Sequence, residues 1–407
     1  MISISNALEQ IRNTVESHAV SPQKLLSSVG MTLARDVLAD LDSPPHDKSV
    51  MDGYAVQSSD IQAGRRDLVV TETIVAGSSP QQPVEPGCAA RIMTGAPLPH
   101  GADAVVMIEK TSQIEGTDPP QVRIDIPQLS PGHHMMSRGK NYRSGDVVLK
   151  QGHQIRAADI GLLAEVGHDV VDVYRQPTIA VLPTGDELVD VQQLPGPAQI
   201  RNSNGPMLVA LNRANGFEVD ALDIGRDDPA QLKRLVEQGL QKDVLLLSGG
   251  VSAGMLDLVP QVLADCGVEQ VFHKVAVKPG KPIWFGRWAS GLHHCYVFGL
   301  PGNPVSSLVG YHLFVRYAIQ CMFQQADRQR WSYAELGDNH QTRGNRPTFW
   351  PGKINADSGT TRRVTPLPWN GSSDLRALGQ ADCLIHFPLE KEDWRAGDVL
   401  EIWPLTR

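Results

Sequence analysis

Four short segments that each follow a predicted buried strand carry residue types suited to binding anions. They are PTGDEL at 183–188, SGGVSAG at 248–254, KPGKP at 278–282 and PGNPVSS at 301–307. In doubly wound sheets, ligands bind beyond the carboxyl ends of the strands. We therefore expect the four loops to lie on one rim of a sheet and to form a single pocket. Each loop alone is more typical of an ordinary turn, and it is their combination that favours a site.

The loops offer complementary groups for binding phosphate or another oxyanion. Main-chain N–H groups unobstructed by large side chains come from Ser248, Gly249 and Gly250. Three cations lie on and just after the end of one predicted strand, namely Lys274, Lys278 and Lys281. A small anion that meets both sets of groups would be held by charge and by directed hydrogen bonds.

Carboxylates lie close to the same loops. Thr184 and Gly185 open a turn beside Glu187, while Asp227 and Asp257 follow a strand or the glycine loop. Carboxylate oxygens are ligands that Mg²⁺ prefers. Anion-binding lysines beside such carboxylates indicate phosphoryl or nucleotidyl chemistry.

Composition limits the classes of protein to which the chain can belong. A length of 407 residues predicts two to four domains. The net charge of −8 argues against a general nucleic-acid binder, which needs a basic face. Five scattered cysteines without a CxxC pair favour reduced thiols over a zinc site or a disulfide framework. Because no segment approaches the roughly eighteen apolar residues of a membrane span, we expect a soluble, cytoplasmic protein.

The order of predicted elements indicates a multidomain α/β plus β protein. Strands and helices alternate in the central part, which predicts a doubly wound, parallel sheet covered on both faces. Helical pieces are expected within about 1–40 and 156–168, beginning with an amphipathic helix that carries Leu8, Ile11 and Val15 on one side. The predicted parts are a discontinuous linker domain at 1–45 and 137–176, an inserted β domain at 46–136, the α/β domain at 177–325 and a C-terminal β domain at 326–407.

An ordered set of motifs extends along nearly the whole chain. The set comprises SVMDGYAV at 49–56, RIMTGAPLPHGADAVVMIE at 91–109, SRGKNYRSGDVV at 137–148, PTGDEL at 183–188, IRNSN at 200–204, GRDD at 225–228, SGGVSAGMLD at 248–257, KVAVKPGKP at 274–282 and GLPGNPVSS at 299–307. In this order the motifs resemble the MoeA/gephyrin E-domain family, the molybdopterin molybdotransferases. No single motif carries the resemblance, and the specificity lies in the ordered set.

The resemblance implies an elongated homodimer in which the α/β domain of one subunit faces the inserted β domain of the other. It implies a transferase of molybdenum cofactor biosynthesis that inserts molybdenum from molybdate into adenylylated molybdopterin and releases AMP. The implied reaction requires Mg²⁺. Contacts with the molybdopterin adenylyltransferase and with molybdoenzymes are also implied. Neither a nucleic acid nor a membrane is an expected partner.

The family's functional residues carry over onto matching positions. By resemblance the catalytic set is Asp52, Thr94, Glu187, Asp227, Asp257, Lys274 and Lys278. Glu187, Asp227 and Asp257 would organise the metal or the substrate, while Lys274 and Lys278 would hold molybdate or phosphate. The implied substrate-binding residues are Thr184, Gly185, Ser203, Asn204, Ser248, Gly249, Gly250, Lys281, Pro301, Gly302, Asn303 and Pro304.

Three positions depart from the family's pattern. Lys140 and Asn141 stand where an acidic pair is usual, and Asn202 stands where aspartate is common. One interpretation is that these positions vary freely. The other is a paralogue with weakened metal binding that acts as a molybdopterin-binding or scaffold protein. The related adenylyltransferase step is disfavoured, since it needs neither β domain; the preference between molybdenum and tungsten has no signature in the sequence.

Overall fold

The computed structural model describes residues 1–251, 258–325, 331–355 and 362–405. The chain divides into two compact units. The first unit contains Met1–Pro22, Gly30–Ala34 and Asp172–Arg407, and the second contains Gln23–Val29 and Arg35–Val171. The α/β part and the C-terminal β part therefore share one compact unit.

A six-stranded sheet forms the centre of the first unit. Its strands, in spatial order, are Glu218–Ala221, Thr178–Pro183, Val244–Ser248, His293–Leu300, Trp284–Ser290 and Glu269–His273. The first four strands run parallel. Every residue of Val244–Ser248 is buried, as expected for a continuous apolar run in a sheet that is covered on both faces.

The prediction of a wholly parallel sheet is wrong at one strand. Trp284–Ser290 runs antiparallel to both of its neighbours, because a tight turn at Gly291 and Leu292 joins it to His293–Leu300 as a hairpin. Glu269–His273 is antiparallel to that strand and so regains the direction of the other four. The carboxyl ends of all five parallel strands therefore lie on the same rim.

Helices cover both faces of this sheet. Val244 and Leu246 pack in one apolar cluster, and Leu245 and Leu247 pack in another, as the period of two in a strand requires. The helices of the α/β part are Ile4–Thr14, Asn204–Ala214, Pro229–Gly239, Val259–Asp265, Pro304–Gly310, the π-helical turn Tyr311–Val315 and Arg316–Met322. No helix among the described residues is long and apolar enough to cross a membrane.

The predicted helical content of the first forty residues is too high. Ile4–Thr14 is the amphipathic helix expected, with Ala7 and Ile11 buried in the sheet's apolar cluster. It is followed only by the 3₁₀ turn Leu25–Ser28 and by short strands. Pro22 removes a main-chain donor and Gly30 has a φ of 84°, and both oppose a continuous helix. The later helix is shorter than expected and spans Ala157–Glu165.

The second unit contains a six-stranded sheet of its own. The strands, in spatial order, are Ala104–Met107, Gly53–Val56, Cys88–Ile92, Asp67–Ile74, Gln121–Ile124 and Thr111–Ile114. A Cβ atom on Gly53 would lie 1.9 Å from the carbonyl oxygen of Val106, so only glycine fits at this point of the sheet. Further elements of this unit are the helix Ser58–Gln62 and the two-stranded pairs of Lys48–Ser49 with Met135–Met136 and of Val37–Leu38 with Val147–Leu149.

A closed five-stranded barrel occupies the C-terminal part of the first unit. Its strands, in spatial order, are Ser332–Leu336, Arg363–Pro366, Thr348–Asn355, Cys383–Phe387 and Val399–Pro404. Buried Leu336, Val364, Ile385 and Ile402 fill its interior. The helix Leu375–Gln380 precedes the fourth of these strands along the chain. Closure pairs every strand edge, so no open edge is left to be protected.

A buried carboxylate fixes the start of the central sheet. Asp243 accepts hydrogen bonds from Thr178 N (2.7 Å), Thr178 Oγ1 (2.8 Å) and Arg175 Nη2 (2.7 Å). His18 Nε2 lies 3.2 Å from the same carboxylate. Burial alone would raise the pKa of Asp243, but hydrogen bonds from His18, Arg175 and Thr178 outweigh it and hold the pKa well below its ordinary value. Asp243 therefore stabilises the fold in its ionised form.

Asp243→Asn should lower the free energy of unfolding by about 2 to 3 kcal/mol at pH 7, because an amide pairs poorly with the donors that converge there. Since the folded pKa is depressed, the contribution of Asp243 is complete above the unfolded pKa of about 3.9 and is lost as the pH falls further. Urea unfolding at pH 7 and below pH 4 tests both points. Asp220→Asn removes the nearer of two acidic partners of Lys242 at the surface and should cost less than about 1 kcal/mol. Equal losses in the two variants would contradict the assignment.

Candidate active site

Three of the four predicted loops meet in one pocket of about 490 Å³ in the first unit. Thr184 and Glu187 come from the loop after Thr178–Pro183, and Ser248 ends the next strand. The third loop follows His293–Leu300; Pro301 begins it, and the pocket is lined by its next three residues, Gly302, Asn303 and Pro304. The expectation that loops at the carboxyl ends of neighbouring parallel strands share a pocket is confirmed for these three.

The glycine loop lies directly against Thr184. Thr184 N donates to the carbonyl oxygen of Ser248 (2.9 Å), and a Cβ atom on Gly249 would lie 2.4 Å from the carbonyl oxygen of Thr184. Gly249 and Gly250 also have φ values of 102° and 63°. Glycine is needed here for both space and conformation. The main chain of this loop therefore comes close to the pocket without a side chain in between.

Asn204 ties the second and third loops together. It begins the helix Asn204–Ala214 and is almost completely buried. Its Nδ2 donates to Ser248 Oγ (2.8 Å) and to the carbonyl oxygen of Gly302 (2.6 Å). The two hydrogens of the amide NH₂ group serve one acceptor each. Asn204 thus fixes the spacing of two loops whose residues are about 50 positions apart.

Asn202, one of the departures from the family's pattern, has a local role. Its Oδ1 accepts a hydrogen bond from Gly205 N (3.0 Å) in the first turn of the helix Asn204–Ala214. An aspartate carboxylate would accept the same bond, so the amide keeps this contact and gives up only the charge. Asn202 and Ser203 both line the pocket.

In the loop 183–188, called the acidic loop below, the Glu187 carboxylate folds back over the main chain of the loop. Gly185 has a φ of 140°, and a Cβ atom there would lie 2.5 Å from Glu187 Oε2. Asp227 N donates to Asp186 Oδ1 (3.0 Å), which brings the start of the GRDD segment to the same loop. Glu187 lines the pocket, and Asp227 lies next to the loop that carries Glu187.

The lysine loop lies on the same rim but does not line this pocket. Its main chain pairs with the C-terminal β part: Lys278 N donates to Pro347 O (2.9 Å), and Phe349 N donates to Lys278 O (2.7 Å). Lys278 Nζ donates to Arg343 O (2.8 Å). The antiparallel strand Trp284–Ser290 lies between the strand that precedes Lys274 and the strand that precedes Pro301. The lysine loop nevertheless comes close to the 301–307 loop, since a Cβ atom on Gly280 would lie 3.4 Å from Ser306 O.

Arginines that the sequence did not single out accompany this loop. Arg346 Nη1 donates to the carbonyl oxygen of Val277 (2.7 Å), and Arg343 contributes the carbonyl group that Lys278 contacts. The two arginines lie more than sixty residues after the lysines in the sequence. The result is a basic segment composed of Lys274, Lys278, Lys281, Arg343 and Arg346.

The pocket also has a wall that the sequence did not predict. Ser373 and Leu375, from the C-terminal part, line it together with Arg201. The segment is held there by a main-chain bond from Val305 N to Ser372 O (3.0 Å). No periodicity or spacing in the sequence signals a contact between residues seventy positions apart, so these residues were missed.

Asp52 and Thr94 lie in the second unit and contact each other. Thr94 donates to Asp52 Oδ1 through its main-chain N (2.6 Å) and its Oγ1 (2.8 Å). The main-chain bond, followed by the hydroxyl bond, lowers the pKa of Asp52. Thr94 thus holds the Asp52 carboxylate in place and favours its ionised form.

Asn141, the second departure, is engaged in a turn of the same unit. Its main-chain N donates to Ser43 O (2.9 Å), and its Nδ2 donates to Ser43 Oγ (3.2 Å). Ser43 Oγ in turn donates to Glu165 Oε1 (2.8 Å). The Asn141 amide therefore supports a hydrogen-bonded turn, and its neighbour Lys140 is exposed.

The predicted metal ligands can be followed only in part. Asp257 lies outside the described residues, while Glu187 and Asp227 are both described. Within the described part of the chain, no three His, Cys, Asp or Glu side chains are grouped closely enough to hold a metal ion. Two carboxylates suit Mg²⁺ only when phosphate oxygens or water complete the shell, which is the usual manner of Mg²⁺ binding.

Family models match the chain in three consecutive stretches. The MoeA N-terminal region, described as domains I and II, matches residues 2–167. A probable molybdopterin binding domain matches residues 180–320. The MoeA C-terminal region, described as domain IV, matches residues 333–405. Together these matches follow the α/β sheet, the barrel and the region that contains the second sheet.

Whole-length relatives give the same result. The chain is 35% identical to a molybdopterin molybdenumtransferase of Staphylococcus aureus and 33% identical to one of Staphylococcus epidermidis, and each alignment covers 98% of this chain and 95% of the relative. A crystal structure of the molybdopterin biosynthesis MoeA protein from Pyrococcus horikoshii superposes with a TM-score of 0.80 at 26% identity and covers 99% of both chains. The resemblance inferred from the motifs is confirmed, and the chain belongs to the MoeA family.

Proposed function

We propose that the chain is a molybdopterin molybdenumtransferase, which inserts molybdenum from molybdate into adenylylated molybdopterin and releases AMP. The observation that carries the proposal is the alignment with relatives of that name over 98% of the chain. All three parts of the family's architecture are thus retained. No finding favours the alternative of a weakened paralogue that serves only as a binding or scaffold protein.

The rim of the central sheet suits a phosphorylated substrate. The expectation that Ser248, Gly249 and Gly250 all offer main-chain N–H groups needs correction, because Gly249 N donates to Leu300 O (3.0 Å) and Ser248 is paired within the sheet. The main-chain N–H of Gly250 and the hydroxyl of Ser248 would hold a phosphate group. Thr184, Ser203, Asn204 and the 301–304 loop would enclose the organic part of the substrate. The basic segment would hold molybdate or phosphate through Lys274 and Lys278, with Lys281 nearby. Fixed positive groups stabilise negative charge that develops as a phosphoanhydride is cleaved.

Mg²⁺ is part of the proposal. Glu187, Asp227 and Asp257 would hold it, and the ion would supply positive charge at the phosphate oxygens. Support comes from the hard oxygen donors of Glu187 and Asp227 beside one loop. Glu187 would also orient the substrate, because its carboxylate lines the pocket.

We further propose a homodimer in which Asp52 and Thr94 of one subunit serve the α/β pocket of the other. Support comes from apolar side chains of the second unit that are exposed in a single chain. Leu38 and Val147 lie opposite each other in a strand pair and are 49% and 45% exposed, and others are Leu26, Val29, Leu41 and Val170. Adjacent exposed apolar side chains, as Leu38 and Val147 are, suit a surface that pairs with another.

A reducing compartment, the cytoplasm, fits the thiols. All five cysteines are free, and burial raises the pKa of Cys383 to about 12. Thiols with so high a pKa are poor nucleophiles and serve as small apolar side chains. The chain would receive its substrate from the adenylyltransferase step and deliver its product to molybdoenzymes.

Glu187→Gln should reduce AMP release and cofactor formation by about 100-fold, because the carboxylate that lines the pocket loses its charge. The measurement is single-turnover AMP release from adenylylated molybdopterin with molybdate and Mg²⁺. Asp190→Asn, an exposed acid three residues away, should stay within about twofold of the wild type. A wild-type protein that binds the pterin but releases no AMP would refute the proposed function.

Asn141→Asp tests whether the departure at this position weakens Mg²⁺ binding. We expect half-saturation by Mg²⁺ to change by less than about twofold, because the side chain is engaged with Ser43 and local surface changes are small. Mg²⁺ titration of AMP release measures this, and Asn141→Ala separates the lost hydrogen bond from the added charge. Tenfold tighter binding in Asn141→Asp alone would favour the interpretation of a weakened metal site.

Mixing two inactive variants tests the shared cleft. Asp52→Asn and Glu187→Gln should each be nearly inactive as homodimers. If subunits are mixed at random after exchange, about half of the dimers are mixed and each has one intact cleft, so about a quarter of the wild-type activity should return. No recovery, with subunit exchange verified by mass spectrometry, would place both residues in a cleft of the same subunit or outside the site.

A further inference from the structure

We propose that Arg226 is a positioning residue for the acidic loop of the active site. Its guanidinium holds the main chain of residues 185–188 in the conformation that presents Glu187 to the pocket. The inference rests on the proposed function, since it assigns Arg226 a role through Glu187. Arg226 precedes Asp227 in the GRDD segment and does not itself line the pocket.

One nitrogen atom of Arg226 serves three carbonyl groups of the loop. Nη1 donates to Leu188 O at 2.8 Å, to Asp186 O at 3.1 Å and to Gly185 O at 3.3 Å. A terminal guanidinium nitrogen carries two hydrogens, so the two shorter bonds are the principal ones and the third is shared. Bonds from a charged donor are stronger than neutral ones. The carbonyl groups of Gly185, Asp186 and Leu188 are thereby turned toward Arg226.

Two further main-chain groups of the loop are bonded to neighbouring elements. Glu187 O accepts from Ile200 N (2.8 Å), and Gly185 N donates to Gly225 O (3.0 Å). Arg226 is itself anchored, because its main-chain N donates to Gln231 Oε1 (3.1 Å) in the helix Pro229–Gly239. The loop is therefore held between three elements. They are the end of the strand Thr178–Pro183, the short pair of Leu188–Val189 with Ile200–Arg201, and the helix Pro229–Gly239. Arg226 is the side chain that links them.

The conformation of this loop determines where the Glu187 carboxylate lies. That carboxylate is folded over Gly185 so closely that a Cβ atom on Gly185 would lie 2.5 Å from Oε2 and 2.6 Å from Oε1. A rotation of the Gly185 or Asp186 peptide would therefore displace the Glu187 carboxylate. Displacements of about 1 Å in a catalytic arrangement can cost about 100-fold in rate. Arg226 opposes that rotation at the carbonyl groups of Gly185 and Asp186, and at Gly185 O it acts together with Leu188 N, which donates to the same oxygen (3.3 Å).

Charge adds to the hydrogen bonds. Three carboxylates lie close together. Asp186 and Glu187 belong to the acidic loop, and Asp227 is bonded to it through Asp186. The Arg226 cation bonds to the same loop and offsets the repulsion among these carboxylates. Lysine would keep the charge but lose the planar fork, so Arg226→Lys should retain only part of the effect.

The experiment compares Arg226→Met with Arg226→Lys and with a control, Arg234→Met. Arg234 is an exposed arginine of the helix Pro229–Gly239, to which Arg226 is anchored, and it has no role in the site. We expect kcat to fall about 10- to 100-fold in Arg226→Met with little change in KM for adenylylated molybdopterin, a partial recovery in Arg226→Lys and no change in the control.

A double-mutant cycle separates positioning from a general structural role. If Arg226 acts through Glu187, Arg226→Met should cause no further loss in a Glu187→Gln background. Multiplicative losses in the double variant, or wild-type kcat in Arg226→Met, would overturn the inference.

Hydrogen–deuterium exchange tests the same inference without activity. The amides of residues 185–189 should exchange faster in Arg226→Met than in the wild type or Arg234→Met, at an unchanged melting temperature. Unchanged exchange refutes the inference even if the enzyme is active. A wild type that releases no AMP refutes the proposed function and leaves the exchange result to decide on Arg226.

Discussion

The carbonyl oxygen of Thr184 leaves no space for a side chain at Gly249, and the arrangement of the rim follows from this close approach. Two adjacent strands, Thr178–Pro183 and Val244–Ser248, end at the same level because they pair in parallel register. The residues that follow the two strands therefore contact each other through their main chains, as the bond from Thr184 N to Ser248 O shows. Asn204 and Gly302 complete the contact from a helix and from the third loop. A change at any one of these points moves the other two.

Charge is distributed unevenly along the rim. The pocket formed by three loops is polar and contains Glu187 and Arg201, whereas the lysines lie with Arg343 and Arg346 beyond one further strand. Folding the chain therefore separates a region of main-chain donors from a region of cations. The net charge of −8 conceals this local basic segment, since a total charge says nothing about where the charges lie.

Local patterns were sufficient to predict much of the α/β part. The run VLLLS at 244–248 is a buried strand, and the loops after three parallel strands share a pocket, because both depend on neighbouring residues and on a general rule of parallel sheets. The direction of the strand Trp284–Ser290 was missed because it depends on the length of a connection and not on the apolar run itself. Ser373, Arg346 and Arg226 were missed because tertiary contacts bring them to their places. The overestimate of helix before residue 40 arose from extending one amphipathic pattern past Pro22 and Gly30.

The strand Trp284–Ser290 also acts as a spacer. It separates the strand that carries the lysine loop from the strand that carries Gly302 and Asn303. Neighbouring strands lie about 4.8 Å apart, so two intervals set the ends of these two strands about 10 Å from each other. Beyond the rim the loops come together again, because a Cβ atom on Gly280 would lie 3.4 Å from the main-chain oxygen of Ser306. The hairpin that turns at Gly291 and Leu292 therefore spaces the strand ends, whereas the lysine loop bends back across that interval toward the helix Pro304–Gly310.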